Sequence, residues 1–193
     1  MRRLLPLLLL ATPALAQSPP RVLPARDVSV TYRLEGAASE SVPGGVPGSL
    51  RIEWSAGQQR LRVEPEGRPQ VLLVDLAGSR VEILDPGLRT AMSLPVRPGD
   101  LQPLRFEGAH FVRQGRQTVA GLSCTDYAVQ SSRGHGTVCL TDDGVALRAA
   151  GEVKGRQGSF TATSVAYGAV PGQAFEIPHG YFQLAIPGMS RPQ

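Results

Sequence analysis

Hydrophobic and polar residues alternate along most of this chain, and this two-residue period constrains the fold more than any other feature of the sequence. In DVSVTYRLEG, the apolar residues Val28, Val30, Tyr32 and Leu34 fall on one face of an extended strand, as they would in a strand with one buried face. The alternation returns repeatedly as far as Tyr167, and no segment keeps a helical period over about a dozen residues. The chain is therefore predicted to be all-β, with few helices.

Glycine and proline divide the alternating pattern into short pieces. The sequence has 22 glycines and 17 prolines among 193 residues, whereas the two residues together usually make up roughly 12% of a chain. The stretch PQVLLVDLAGSRVEILDPGLRTAMSLP predicts three strands with turns at residues 77–78 and 85–87. About ten such strands at near-regular spacing indicate an antiparallel sandwich or barrel. Residues 95–108 are the least regular and are predicted to hold a short helix or a lid-like loop.

The N-terminus has the features of a secretory signal peptide over residues 1–16. A basic start is followed by an apolar run, which is too short to span a bilayer, and by the small-residue ending Ala14-Leu15-Ala16. We expect residues 17–26 to be a flexible proline-rich segment, residues 27–186 a single β domain and residues 187–193 a flexible tail. No later stretch is apolar enough for a membrane helix, so a periplasmic chain with no integral membrane segment is expected after cleavage.

The ionisable residues argue against several functions. Without Arg2 and Arg3 the formal net charge falls from +4 to +2, and the remaining arginines are scattered, so the concentrated basic face of a nucleic-acid-binding protein is not expected. His110, His135 and His179 lack the spacing of joint metal ligands, and no serine lies in a nucleophile-elbow motif. The sequence therefore predicts no metal, no cofactor and no catalytic activity.

Two cysteines raise three alternatives: a redox centre, half of a metal site, or a structural disulfide. A two-residue turn at Asp143–Gly144 would pair Cys139 with Arg148 and place Cys139 on the polar face of its strand. In CTDYAVQ, Cys124 shares the polar face with Asp126. The cysteines thus lie on one side of neighbouring strands, near the separation that a disulfide needs. Because further soft ligands and a C-x-x-C motif are missing, the pattern predicts a structural disulfide in an exported protein.

The aromatic side chains have two interpretations. The single tryptophan, the four tyrosines and the five phenylalanines either fill the core or line an apolar cavity that is open to a ligand. If there is a cavity, the predicted ligand-binding aromatic residues are Trp54, Phe106, Phe111 and Tyr127.

Several short motifs resemble a known superfamily. An arginine-bearing strand (RLRVE, residues 60–64) is followed by a proline, an apolar strand (PQVLLVD) and a further strand (LAGSRVEILDP). This succession resembles the LolA/LolB-like periplasmic lipoprotein carriers. The second half resembles an uncharacterised exported branch of that superfamily, whose Gly-x-x-Cys-x-x-Tyr strand and Pro-x-Gly-Tyr tail match Gly121, Cys124, Tyr127, Pro178, Gly180 and Tyr181.

The resemblance implies an open antiparallel half-barrel around an apolar cavity. In the characterised carriers that cavity shields acyl chains, so the expected function is non-catalytic binding of a lipid, a lipoprotein acyl chain or another apolar ligand. Arg62 corresponds to the barrel arginine of the carriers and is a predicted ligand-binding residue. The carriers' amphipathic N-terminal helix and lid helices lack clear counterparts here. The alternative is a protein-interaction or envelope-assembly module whose barrel is filled by its own side chains.

Overall fold

A computed structural model describes residues 19–40, 48–94, 96–97, 99–153 and 155–184. The predicted signal peptide, the predicted tail and most of the glycine-rich loop PGGVPG lie outside these residues. The strands are β1 (Val28–Gly36), β2 (Ser49–Ser55), β3 (Arg60–Pro65), β4 (Val71–Asp75), β5 (Arg80–Asp85), β6 (Thr90–Leu94), β7 (His110–Val119), β8 (Leu122–Ser131), β9 (Gly134–Leu140), β10 (Ala146–Val153), β11 (Arg156–Tyr167) and β12 (Phe182–Leu184). A short helix α1 (Ala37–Glu40) and two 3-10 turns (Gln102–Arg105 and Gly172–Phe175) complete the described elements.

All twelve strands form one sheet in the order β12-β6-β5-β4-β3-β2-β1-β11-β10-β9-β8-β7. β2 to β6 and β7 to β11 are two runs of consecutive antiparallel strands, and β1 lies between them, paired with β2 on one side and β11 on the other. β12 is parallel to β6. Among the described strands, β7 and β12 do not pair with each other, so the sheet is open. The predicted open, mainly antiparallel half-barrel is confirmed.

The two-residue period sorts the side chains onto two faces, which we call inner and outer. The inner face carries a large buried core that includes Val28, Val30, Tyr32, Leu34, Leu50, Trp54, Val74 and Val81. Burial of a side chain of this size contributes about 1.5–3 kcal/mol, so this core contributes substantially to the stability of the fold. Tyr32 is the polar exception: its hydroxyl donates to the Ala146 carbonyl at 2.9 Å, and burial raises its pKa, which keeps the donor protonated.

The C-terminal segment, residues 168–184, covers part of the outer face. A second, smaller core of Val71, Leu73, Leu84 and Ala91 lies there, and Ile177 and Tyr181 of the C-terminal segment pack against it. The segment then ends as β12 on the free edge of β6. The strands β4 to β6 are therefore covered on the outer face by the chain's own C-terminal segment.

Four glycines face one another on adjacent strands. Gly136 pairs with Gly151, which pairs with Gly158, which pairs with Gly36. A Cβ added at Gly158 would lie 2.5 Å from the amide nitrogen of Ala38 in α1, closer than real Cβ contacts allow. The absence of side chains along this row thus lets α1 lie directly against β11.

The two cysteines are joined as predicted, but they are buried. Their sulfur atoms lie at bonding distance and their Cα atoms are 5.4 Å apart. Cys139 pairs with Asp126 on β8 and with Arg148 on β10, which confirms that the cysteines share a face with these polar residues. Both cysteines are nevertheless no more than 2% exposed, and they also pack against buried apolar side chains.

The turn between β9 and β10 differs from the predicted two-residue turn. Thr141 pairs with Val145 through the backbone, which makes a three-residue loop, and the register shifts between Ala146 and Arg148. Gly144 has a φ of 95°, as this class of loop requires at a glycine position. The Thr141 hydroxyl donates to Asp143 and accepts from the Val145 amide, so side chains select the longer loop.

Asp143 also contacts the proline-rich segment that precedes β1. Arg26 donates to its carboxylate at 2.9 Å while stacking 3.7 Å from the Tyr167 ring centroid, and the Tyr167 hydroxyl donates to the same carboxylate. The Trp54 indole donates to the Pro24 carbonyl. The described residues before β1 are therefore held against the domain.

Removal of the disulfide should destabilise the fold. In a Cys124→Ala/Cys139→Ala double variant we expect the free energy of unfolding to fall by about 3 kcal/mol, because the loop that the bond closes gains freedom in the unfolded chain. Urea denaturation measures the change, and the reduced wild-type protein is the control. Equal stability of the oxidised protein and the double variant would contradict this role.

The contribution of Asp143 should depend on pH. Burial raises the pKa of Asp143, but hydrogen bonds from Thr141, Arg26 and Tyr167 outweigh it, so the pKa lies below the ordinary 3.8. The ionised carboxylate therefore stabilises the fold above pH 3.8, and this contribution is lost as the pH falls through the lowered pKa. At neutral pH, Asp143→Asn should lower the free energy of unfolding by about 1–2 kcal/mol.

The neighbouring carboxylate provides the matched control. Asp142 is 87% exposed in its ion pair with Arg116, and exposed pairs contribute little. Urea denaturation of Asp143→Asn and Asp142→Asn at neutral and acidic pH should show a gap between the two variants that closes in acid. A gap that stays constant with pH would refute ionisation as the cause.

Candidate functional site

The inner face carries an unbroken row of apolar side chains across seven adjacent strands, and we call it the apolar row. It consists of Val30, Ile52, Val63, Leu72, Ile83, Met92 and Leu184, each paired with the next. Val30 is 3% exposed and Leu184 is 52% exposed, while the five residues between them are half-buried. The row therefore changes from packed core to accessible apolar surface toward the β12 edge.

Three of the predicted aromatic residues come together at the other end of the sheet. The Phe111 ring lies 5.8 Å from that of Phe106 and 6.0 Å from that of Tyr127, centroid to centroid. All three side chains are half-buried. Tyr127 shares the inner face with Val138, its partner on β9. The structure thus groups these residues as an aromatic cluster on the inner face.

The connection from β6 to β7 joins the two ends. We call its described residues, 96–97 and 99–109, the crossover segment. Val96 and Leu101 pack on the inner-face core. Arg105 donates to the Leu76 carbonyl at 3.0 Å, whereas the ring of the next residue, Phe106, contacts that of Phe111 on β7. The crossover segment therefore connects the β4–β5 turn with β7, and its 3-10 turn agrees with the short helix predicted there.

Phe106 has a strained backbone. Its φ is 52°, in the left-handed region that bulky residues rarely adopt. Such strain persists only where surrounding contacts hold it. Here the Phe106 carbonyl accepts from the Ala109 amide. The hydrogen bond of Arg105 to the Leu76 carbonyl and the contact of the Phe106 ring with Phe111 also hold this segment. The crossover segment thus presents the Phe106 ring to the inner face at a conformational cost.

Trp54 is separated from the aromatic cluster. It is 3% exposed, pairs with Val28 on β1 and donates its indole N–H to the Pro24 carbonyl at 2.9 Å. The aromatic residues therefore differ: Trp54 is part of the core, whereas Phe106, Phe111 and Tyr127 lie on partly accessible surface.

Arg62 lies on the outer face. Its guanidinium pairs with Glu64 at 2.6 Å and approaches Glu53 at 4.0 Å, and its Nη1 donates to the Ala174 carbonyl of the C-terminal segment at 3.0 Å. It also borders a surface depression of about 480 Å³ that includes Arg51. The structure therefore does not bring Arg62 together with the aromatic cluster.

Metal-ligating side chains are not clustered in the part of the chain that the structure describes. His110, His135 and His179 are all exposed, and no group of three or more His, Cys, Asp or Glu side chains there is arranged to hold a metal ion. None of the helices in the described ranges has the length and apolar character needed to cross a membrane.

The sequence alone does not predict the apolar row as a site, although all of its members except Leu184 fall in segments with the strand pattern. Each strand's alternation indicates which residues share a face. The row itself appears only once the registers of six strand pairs are known, and these registers depend on turn lengths. The apolar row offers a continuous apolar surface against which an apolar group could pack.

Comparisons with known proteins bear on the fold. No protein-family model matches the chain, and no curated protein matches it. Among solved structures it is similar to Pseudomonas aeruginosa MucB in complex with MucA (TM-score 0.50, 22% identity, 76% of this chain and 53% of that chain). A second MucB structure, in complex with MucA(peri), has a TM-score of 0.50 and 19% identity, covering 83% of this chain and 57% of that chain.

A third similar structure is an uncharacterized conserved protein from Thermus thermophilus, with a TM-score of 0.52 and 11% identity, covering 83% of this chain and 90% of that chain. At such identities the similarities show the fold alone. The chain shares the open half-barrel fold of these structures. It spans about half the length of the MucB structures.

Replacement of Arg62 should affect stability and leave the inner face unchanged. In Arg62→Met, Glu53 and Glu64 lose a partner and the Ala174 carbonyl loses its donor, so we expect a loss of about 1–3 kcal/mol in the free energy of unfolding. Affinity for the neutral fluorescent probe N-phenyl-1-naphthylamine should be unchanged. Weaker probe binding at wild-type stability would instead support the ligand contact implied by the family resemblance.

Proposed function

We propose that this protein is an exported, non-catalytic domain that binds a lipid or the acyl chain of a lipoprotein on the inner face of its half-barrel. The observation that carries the proposal is the apolar row, whose exposure rises from 3% at Val30 to 52% at Leu184. A row that served only as core would be buried along its whole length. The aromatic cluster and the crossover segment form the opposite boundary of the proposed binding surface.

The energetics favour an elongated apolar ligand. Each methylene group removed from water contributes about 0.8 kcal/mol, so several methylenes in contact with the apolar row would offset the cost of association. The exposed rim at Phe182 and Leu184 would provide the entrance, because these side chains extend the inner face beyond β6.

Export is part of the proposal. The first 16 residues have the composition of a signal peptide, and a structural disulfide such as Cys124–Cys139 persists mainly in oxidising compartments. Both features support a periplasmic location.

One observation favours a second candidate, a protein-interaction module. The MucB structures of similar fold were solved with MucA, and Leu88, Phe182 and Leu184 are exposed apolar side chains near the β6 and β12 edge. In this alternative, the exposed end of the apolar row would contact a partner protein rather than a lipid.

A charge placed on the apolar row tests the lipid proposal. Met92 is half-buried on the inner face, whereas the adjacent Ser93 is exposed and pairs with Glu82 on the outer face. We expect Met92→Glu to weaken binding of N-phenyl-1-naphthylamine by at least about tenfold, because a carboxylate resists burial beside an apolar ligand. Ser93→Glu, the matched control, should bind like wild type.

Lipid carried through purification provides the second readout. Mass spectrometry of the protein isolated from its native host should detect a lipid in the wild type and in Ser93→Glu, and much less in Met92→Glu. Absence of both probe binding and co-purified lipid in the wild type would reject the proposal and favour the protein-interaction module.

A further inference from the structure

Arg113 lies beside the aromatic cluster on the inner face. It pairs directly with Tyr127 across β7 and β8, two residues along each strand from the Phe111–Val129 pair on the same face. Directly paired residues have Cβ atoms about 4.5–5.5 Å apart, so the stem of Arg113 starts next to the Tyr127 side chain. The Arg113 side chain is exposed, and it has no hydrogen-bond or ion-pair partner among the residues that the structure describes.

The described strands place few acidic side chains on this face. The strand registers assign one carboxylate to the inner face of the described strands, that of Asp85 on β5. It already accepts hydrogen bonds from the Gln70 side chain at 3.1 Å and from the Leu88 amide at 3.0 Å. The acidic side chains of the other strands fall on the outer face, as Glu53, Glu64 and Glu82 do.

The other two arginines on the inner face of the described strands, Arg116 and Arg156, differ from Arg113 in their surroundings. Arg116 also lies on the inner face of β7, paired with Thr125, but its guanidinium contacts Asp142 at 3.3 Å. Arg156 is at the far end of β11, beyond the glycine row. Arg113 is the inner-face arginine that stands next to the aromatic cluster without a carboxylate partner in the described part of the chain.

We infer that the ligand is an amphiphile with an anionic headgroup, which Arg113 binds while the acyl chain lies against the aromatic cluster. The inference rests on the proposed lipid-binding function and adds the class of headgroup. A guanidinium offers paired N–H donors that match a carboxylate or a phosphate, and its aliphatic stem packs well along apolar surface. The two headgroup sources share this chemistry and are separated by the experiment.

A competition assay with chain-matched lipids tests the inference. N-phenyl-1-naphthylamine, which is neutral, is displaced by myristate, by myristoyl lysophosphatidylglycerol or by the uncharged monomyristoylglycerol, each below its aggregation concentration. The proteins compared are the wild type, Arg113→Gln and Arg133→Gln. Arg133 is an exposed arginine in the turn between β8 and β9, so its replacement removes the same charge away from the inner face.

The wild type should prefer the anionic lipids over monomyristoylglycerol. Arg113→Gln should weaken binding of the anionic lipids by about fivefold to tenfold and leave monomyristoylglycerol unchanged, while Arg133→Gln behaves like wild type. An effect on myristate alone would assign the headgroup as a carboxylate, and an effect on the lysophospholipid alone would assign it as a phosphate.

Two results would overturn the inference. If Arg113→Gln weakens all three lipids equally, or none of them, Arg113 does not bind a headgroup, although a lipid-binding inner face would stand. Arg113 would then be a solvated charge of the kind that protects edge strands from aggregation. If no lipid displaces the probe from the wild type, the proposed function fails together with the inference.

Discussion

Hydrogen bonding along both edges of β1 holds the two halves of this fold together. β2 to β6 and β7 to β11 could each form a curved run of hairpins, but the inner-face core becomes continuous because β1 pairs with β2 and β11 at once. Val28, Val30 and Tyr32 then occupy its centre and are buried by both runs. The crossover segment adds a second connection, since Arg105 and Phe106 contact opposite halves. What remains accessible is the margin of the inner face, and the proposed binding surfaces lie there.

Much of the architecture follows from the local pattern of the sequence. The alternation in β1 and the turns in the β4–β6 region predict strands, faces and hairpins correctly, because a period of two and a turn residue are local properties. The turn after β9 is the instructive failure. Asp143–Gly144 is a strong signal for a two-residue turn, but Asp143 accepts hydrogen bonds from Arg26 and Tyr167, which are distant in sequence. Local contacts of Thr141 and tertiary contacts of Asp143 therefore both favour the longer loop, and Arg26 links Asp143 to the proline-rich segment.

The candidate site is less accessible to sequence reasoning. Phe106, Phe111 and Tyr127 could be selected from the sequence because they are aromatic. The alternation alone does not say which aromatic side chains are buried, and Trp54 lies in the core. Arg62 was assigned through family resemblance, and its parity relative to Leu61 and Val63 already places it on the opposite face. Arg113 is a candidate headgroup-binding residue because no carboxylate lies beside it on the inner face of the described strands. That information exists only after all the strand registers are known.

The position of β1 has a consequence for how the chain reaches this state. Its partner β11 is among the last strands to emerge, so contacts between distant parts of the sequence must form before the central strand is complete, and such topologies fold slowly. Until then the N-terminal run of hairpins has two unsatisfied edges, on β1 and on β6, and an uncovered core. In the proposed export, this order of events would delay compaction until β11 has crossed the membrane.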